Sequence, residues 1–502
     1  MSTSGSLTIG QQLQSIPPRA VAVLAAAVTA ITVLAAYLST TAFVVSGVAL
    51  LALLGLATVR WPRVMLVVLV LSPPLIDLYA GQRLLPEQAQ SVARLFSEAL
   101  LLVMTAVLAV VAARRGTLVP ALRHPVTVAI GVFLAVTLAS AIVNAVPPTI
   151  ASAGIIFTLD AAVLFFLPRM VGYSHEERNQ ALWAVAAVVT ISALLAIGQT
   201  ILTPDLLGAD PVVGRSGEGV RPGSLVRDPN ILGTLIGLTL PFTMFSLVRQ
   251  PPGRRRWLVA GAAFALTLAL LLTYSRGSWQ GVIVGFGIVA LLIDRRALLA
   301  FILILALAYP TAVLMPKGLL TGGGASYDPV QTTITRLGNV PLGRDLRMQF
   351  IKNGIPIFED HPWLGVGPGR YGGAAASIFG SPIYAEYRTD KLLRNQETVD
   401  NFWLHLGIEV GILGTIAFIT LVLTAAYAPI RALRGAIGSR FAVPAGIVSG
   451  VVVVSVATIT TMLLEGNTVA FLFWFLLGLG SMTWPAALRT GDPPGSAPAS
   501  AG

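Results

Sequence analysis

The chain is 502 residues long, 55% hydrophobic and only 11% charged, with a mean hydropathy of +0.81. Soluble domains carry roughly 25% charged residues, so a soluble enzyme of this length is excluded, and the hydrophobicity equally excludes a disordered chain. The net charge of +11 reads as membrane topology and not as nucleic-acid affinity, while the absence of cysteine and the presence of four His argue against a metal centre.

About 20 apolar residues are needed to cross a hydrocarbon core about 30 Å thick. Suitable stretches run over 20–38, 42–59, 64–80, 94–113, 126–146, 149–167, 180–202, 230–248, 257–274, 277–293, 297–315, 402–427, 443–464 and 468–485. The expected fold is an all-α, polytopic membrane bundle of about 12–14 transmembrane helices with a large extracytoplasmic loop. The chain divides into a cytoplasmic leader (1–19), N-terminal helices (20–202), an outer Arg-rich loop (203–229) and core helices (230–315). A large extracytoplasmic loop (316–401), C-terminal helices (402–485) and a disordered cytoplasmic tail (486–502) complete it. The first span is too long for a signal-peptide core and is read as a retained helix.

Orientation follows from the cations in alternate loops. With the N-terminus inside, eighteen Arg, from Arg19 through Arg254, Arg255 and Arg256 to Arg489, fall on cytoplasmic segments. The short outer loops and helix ends hold only Arg83, Arg94 and Arg276. Both termini are therefore expected in the cytoplasm, and the two long segments, 203–229 and 316–401, outside.

Those outer segments carry the chemistry. Arg215, Arg221 and Arg227 are spaced six residues apart and run into Asp228-Pro229-Asn230 at a helix start. Asp suits an N-cap and Pro a first turn, so the tripeptide reads as a helix start. The arginines and the helix N-terminus together also offer donors and positive potential to a phosphate group. Arg276 follows in a short outward turn between two apolar spans, where a cation costs about 3 kcal/mol or more at the bilayer centre and less near the interface; interface snorkelling is the bland alternative. In the large loop, Gly365, Gly367 and Gly369 lack the lysine and the strand–turn–helix context of a phosphate loop and read as tight turns, with His361 structural. The loop closes on Asp400, Asn401, His405 and Glu409, which share roughly one stripe of the next helix. His405 and Glu409, at i and i+4, can touch. Glu409 reads as part of an interhelical hydrogen-bond seam, and Asp400, at the membrane surface, as the better candidate for chemistry. Asp77, Glu98 and Asp160 read as structural pairs.

Taken together, RDPN at 227–230, SRG at 275–277, HPWLGVGPGRY at 361–371 and DNFWLHLGIEVGILG at 400–414 resemble the O-antigen ligase and O-antigen polymerase superfamily of bacterial membrane glycosyltransferases. The pieces stand in that family's order, over about residues 200–420. The resemblance implies transfer of a saccharide from undecaprenyl pyrophosphate to a glycan or lipid-glycan acceptor, at the outer face of the cytoplasmic membrane, with no cofactor or metal. It implies that Arg276, with Arg227 and with Arg215 or Arg221, Asn230 and Asn401, holds the pyrophosphate. Asp400 takes the acceptor proton, with His405 in reserve. Ligases of this family place His where Asp400 stands, which tilts the reading toward a polymerase or another polysaccharide transferase.

Two other classes are open on the sequence. A secondary transporter or lipid-linked-sugar flippase suits the helix number, though transporters usually show internal repeats and midplane polar sites. A transferase using polyprenyl monophosphate sugars typically carries an acidic pair in its first outer loop, where this chain has Ser39, Thr40 and Thr41.

Overall fold

In this computed structural model the described residues are 18–81, 86, 93, 95–201, 212–213, 220–293, 299, 346–389, 398–435 and 441–482. The architecture is helical, as expected, with one two-residue strand pair in which Val212 and Val213 face Arg221 and Val220. In chain order the helices are α1 (Pro18–Leu38), α2 (Thr40–Arg60), α3 (Pro62–Gly81), α4 (Phe96–Arg114), α5 (Leu118–Leu122) and α6 (Pro125–Val143). Next come α7 (Pro148–Leu159), a 3₁₀ turn (Asp160–Phe165), α8 (Leu167–Val171), α9 (His175–Ile201), α10 (Pro229–Arg249), α11 (Arg254–Leu272) and α12 (Arg276–Ile293). The outer segment holds α13 (Leu346–Asp360), α14 (Ala374–Phe379) and α15 (Pro382–Glu386), and α16 (Phe402–Gly435), α17 (Ala442–Ala457) and α18 (Asn467–Gly480) follow.

Among the described residues nine helices are long and apolar enough to cross a membrane, and four shorter apolar ones accompany them. These thirteen fall on thirteen of the fourteen expected spans; the other, 297–315, lies outside the described residues except for residue 299, and 1–17 and 483–502 lie outside them too. The two closely spaced pairs are separate helices because the chain reverses sharply between them. Ala145 (φ 46°) turns α6 into α7, and Tyr274 (φ 51°) turns α11 into α12.

Small residues let α10, α12 and α17 approach closely at the centre of the bundle. A Cβ on Gly281 would stand 2.7 Å from the Val453 carbonyl oxygen, and one on Gly446 2.7 Å from Phe242 Cβ. Cations hold one end of the bundle together. Arg63 pairs with Glu177 at 2.6 Å and donates to the Gly172 carbonyl at 2.9 Å, while Arg169 donates to Ser481 Oγ at 3.1 Å. The starts of α10, α12, α16 and α18 lie at the other end.

The second half of the bundle is built on a broken helix. At Gly411 (φ 65°, ψ −170°) α16 departs from helical geometry, which strands backbone groups that lipid cannot satisfy. The segment 361–371 satisfies them. Ile412 N–H donates to the Pro362 carbonyl at 2.8 Å, and Val366 and Gly367 N–H donate to the Ile408 and Glu409 carbonyls at 2.9 Å each. Gly365, Gly367 and Gly369 take φ of 68°, 106° and 77°, which bears out the tight-turn reading. Gly365→Ala would put a Cβ 2.4 Å from the Ile408 carbonyl oxygen at a left-handed position. We expect it to lower the thermal midpoint of detergent-purified protein sharply, by strain of about 1–3 kcal/mol plus the clash. Gly131→Ala, with nothing within 4 Å of its new methyl group, is the silent control.

Candidate active site

The first functional stretch is anchored as a helix start. Asp228 caps α10, its Oδ1 accepting from Asn230 N–H at 2.6 Å and Ile231 N–H at 3.1 Å, with Pro229 in the first turn. Just before it, Arg227 sits in the left-handed region (φ 58°). Arg221 straps the loop down, donating Nε to the Thr273 carbonyl at 2.9 Å and Nη2 to Asn230 Oδ1 at 3.2 Å. Arg215 lies outside the described residues.

That strap brings the arginine loop to the SRG turn. Thr273 is the last-turn cap of α11, and Arg276, half-buried, is the first residue of α12. The α10 and α12 starts touch through Thr234 Oγ1 and Ser278 Oγ at 3.2 Å, where Gly233 leaves the room: its Cβ would stand 2.9 Å from Ser278 Oγ. Arg221, Arg227, Asn230 and Arg276 are therefore grouped around two adjacent helix N-termini, and at the α10 start the Asn230 and Ile231 amides are already taken by Asp228.

The late motif arrives at the same end. Asn401 caps α16, its Oδ1 accepting from Leu404 N–H at 2.9 Å, and Asp400 stands one residue outside the helix. Phe402 N–H donates to the Thr458 carbonyl at 2.9 Å, docking the α16 start against the end of α17. The α12 start meets that same segment, since a Cβ on Gly277 would reach within 2.3 Å of Thr460 Oγ1. Gly277 and Phe402, which follow Arg276 and Asn401, thus both meet residues 458–460. Beside them opens a polar cavity of about 460 Å³ walled by α3, α4, α10 and the 461–469 segment. Among its described lining residues the charged ones are all acidic: Glu98, Asp228, Asp400 and Glu465. The arginines stand beside this cavity and not within its described wall.

Behind it lies a buried charge cluster. His405, 1% exposed, points Nδ1 at the Tyr371 carbonyl and holds Nε2 2.9 Å from Glu465 Oε1 and 3.8 Å from Glu409 Oε2. The Nε2–Glu465 contact is close but not aligned as a hydrogen bond. Both ring nitrogens thus face acceptors, Nδ1 a carbonyl and Nε2 two carboxyl groups. Glu465 Oε2 also accepts from Ala374 N–H at 2.9 Å, and Glu409 accepts from Gly369 and Tyr371 N–H, each at 2.8 Å. Glu409 is thus a seam residue, as expected, but its partner is the glycine-rich segment and not a second helix.

Removing that carboxylate should be expensive. Glu409→Leu strands two buried N–H groups, at about 1–3 kcal/mol each, and leaves His405 one counter-charge short. We expect a large fall in thermal midpoint, with Glu409→Gln intermediate because its amide oxygen still accepts one of the two.

Of the remaining acids, Glu98 Oε1 accepts from Asn467 Nδ2 at 3.4 Å and Asp160 from Ala161 N–H at 2.5 Å. His361 sits at the end of α13, its N–H bonded to the Ile357 carbonyl at 3.2 Å, away from the grouped residues. Glu465 is the residue that sequence reasoning passed over. Its signal was the one that singled out Arg276: an ionisable residue in a short turn between two apolar spans.

Residues 261–419 match the O-Antigen ligase family. The matched stretch contains the SRG turn, the glycine-rich segment and the start of α16, and leaves out the loop of Arg221 and Arg227. No curated protein matches the chain.

Proposed function

We propose, with the O-antigen ligase match over 261–419 supporting placement in the O-antigen ligase and polymerase superfamily, that this membrane protein is a glycosyltransferase. It takes a glycan from undecaprenyl pyrophosphate and joins it to an acceptor hydroxyl at the outer face of the cytoplasmic membrane. The observation that carries this reading is the grouping of Arg221, Arg227 and Arg276 at two adjacent helix starts, beside the cavity that Asp400 lines.

In this reaction the bond from the anomeric carbon to the pyrophosphate oxygen breaks, and a bond from that carbon to the acceptor oxygen forms. Arg227 and Arg276 bind the departing pyrophosphate and balance its growing charge, with Arg215 or Arg221, Asn230 and Asn401 assisting. Fixed cations aimed at developing charge do what a divalent ion does elsewhere, so the reaction needs no metal. Asp400 accepts the hydroxyl proton. Asp400 lines the cavity wall beside Glu98 and Glu465. His405 acts from behind, fixing Glu465 at that wall. A transporter would need its polar site at the midplane, whereas these groups collect at one end of the bundle.

Reconstitution with lipid-linked oligosaccharide tests the reading. Product that stays on the lipid and lengthens identifies a polymerase; product that moves to a second acceptor identifies a ligase.

A further inference from the structure

Arg178, in the first turn of α9, is 8% exposed, and the catalytic reading makes no use of it. Its Nη2 donates to His175 Nδ1 at 3.5 Å, long for a hydrogen bond, while its Nε and Nη1 are buried without an acceptor. A guanidinium cannot escape this by losing a proton. Burying a charge is costly unless a counter-charge and hydrogen bonds repay it. The position adds to the cost. α9 is 27 residues long, and its N-terminus carries the positive end of the helix dipole, which favours anions and opposes cations. The acids beside Arg178 in the chain are engaged elsewhere. Glu177 pairs with Arg63 at 2.6 Å and accepts from Ser174 N–H at 2.9 Å, and Glu176 accepts from Gln180 Nε2 at 3.3 Å. Among the described residues no carboxylate pairs with Arg178.

The guanidinium also points the right way. Its contact with His175, the first residue of α9, turns it back toward the helix start, so side chain and helix dipole present positive potential together. We infer that a phosphate group completes this site, held by Arg178 at the N-terminus of α9, at the end of the bundle opposite the candidate active site. Donors on different edges of one guanidinium call for an anion with several acceptor oxygens, which a phosphate has and a halide lacks. Free phosphate and a phospholipid headgroup share this chemistry. The next face of the same helix turn gives reason to test the second source. There Glu177 lines a cavity of about 440 Å³ with Arg60 and Arg63, and Val67, Val68 and Ala184 line it one or two turns further along their helices. A polar end followed by an apolar one is what an anionic phospholipid presents. The site stands apart from the transferase reading and does not depend on it.

The test follows the thermal midpoint of full-length protein, delipidated in detergent and phosphate-free buffer. The probes are inorganic phosphate, dioleoyl phosphatidylglycerol and, as the phosphate-free control, dioleoylglycerol. At least one phosphate-bearing probe should raise the wild-type midpoint, and dioleoylglycerol should not. In Arg178→Met the response should be lost, with apparent affinity at least about tenfold weaker. A response to inorganic phosphate assigns a soluble anion, and a response to phosphatidylglycerol alone assigns a headgroup. Without any probe the order should reverse, Arg178→Met melting at or above wild type, because it removes a buried charge that has no partner. A probe-free methionine variant that melts below wild type would mean that the chain itself already balances Arg178, and overturns the site. So does the absence of any response to both phosphate-bearing probes, an equal response to dioleoylglycerol, or an undiminished response in the variant. Arg178→Gln repeats the comparison should the methionine variant fail to fold, and should both fail, the wild-type responses to the three probes decide alone.

Discussion

Arg276→Ala is expected to abolish glycan transfer while the protein remains folded and inserted. Arg276 is the first residue of α12, and the close packing at that helix start belongs to its neighbours, Gly277 against Thr460 and Ser278 against Thr234. Removing the guanidinium therefore spares the glycine-mediated packing that holds α10, α12 and α17 together. On the proposed mechanism, what is lost is a fixed cation beside two helix starts, where the leaving pyrophosphate would gather charge. One preorganised donor of this kind is worth about 3–4 kcal/mol in the barrier, a fall of about 10²–10³-fold in kcat. Arg276→Lys keeps the charge without the planar fork and should recover only part of the rate. Single-turnover assays with a lipid-pyrophosphate donor, alongside melting curves of both variants, check this. Full activity of the alanine variant sinks the proposed role.

The second large effect is expected at Asp400. Asp400→Asn keeps the size and polarity of the side chain beside the α16 start, and the Asn401 cap and the Phe402–Thr458 hydrogen bond are left intact. On the proposed mechanism it removes the proton acceptor, which typically costs about 10²–10⁴-fold in rate. A change in KM without a change in kcat would mean that Asp400 only binds the acceptor sugar. Asp400→His should restore activity and move the acid limb of the pH–rate profile upward. An imidazole's unperturbed pKa lies about 2.5 units above that of an aspartate, so the variant's base is lost to protonation at higher pH. An unmoved acid limb in an active His variant would assign the proton transfer to another group.

How much of this is readable in the sequence depends on the range of the interactions. Thirteen helices follow from runs of apolar residues, because satisfying every backbone group inside a bilayer leaves few alternatives. The Asp228 cap, the reversal before Arg276 and the turns at Gly365, Gly367 and Gly369 are local and equally plain. The break at Gly411 is not, because GIEVGILG has the composition of an uninterrupted helix. The break exists because segment 361–371, some 50 residues earlier, supplies the missing hydrogen bonds. Glu409 shows the same limit: a polar position inside a helix is visible, but the two amides it serves belong to a distant loop. The partnership of His405 with Glu465 depends on how α16, α17 and α18 pack, and no spacing rule reaches across 60 residues. The grouping of Arg221 with Arg276 likewise comes from Arg221 reaching the Thr273 carbonyl, a contact between elements 52 residues apart.

Cleavage of the donor is read by following undecaprenyl pyrophosphate itself. Purified protein in proteoliposomes, given a lipid-linked saccharide and an acceptor, should release free undecaprenyl pyrophosphate in step with formation of the new glycosidic bond, with chelator present as well as without it. Donor that crosses the bilayer or stays in place with its sugar–phosphate bond intact would contradict the account and restore the flippase reading.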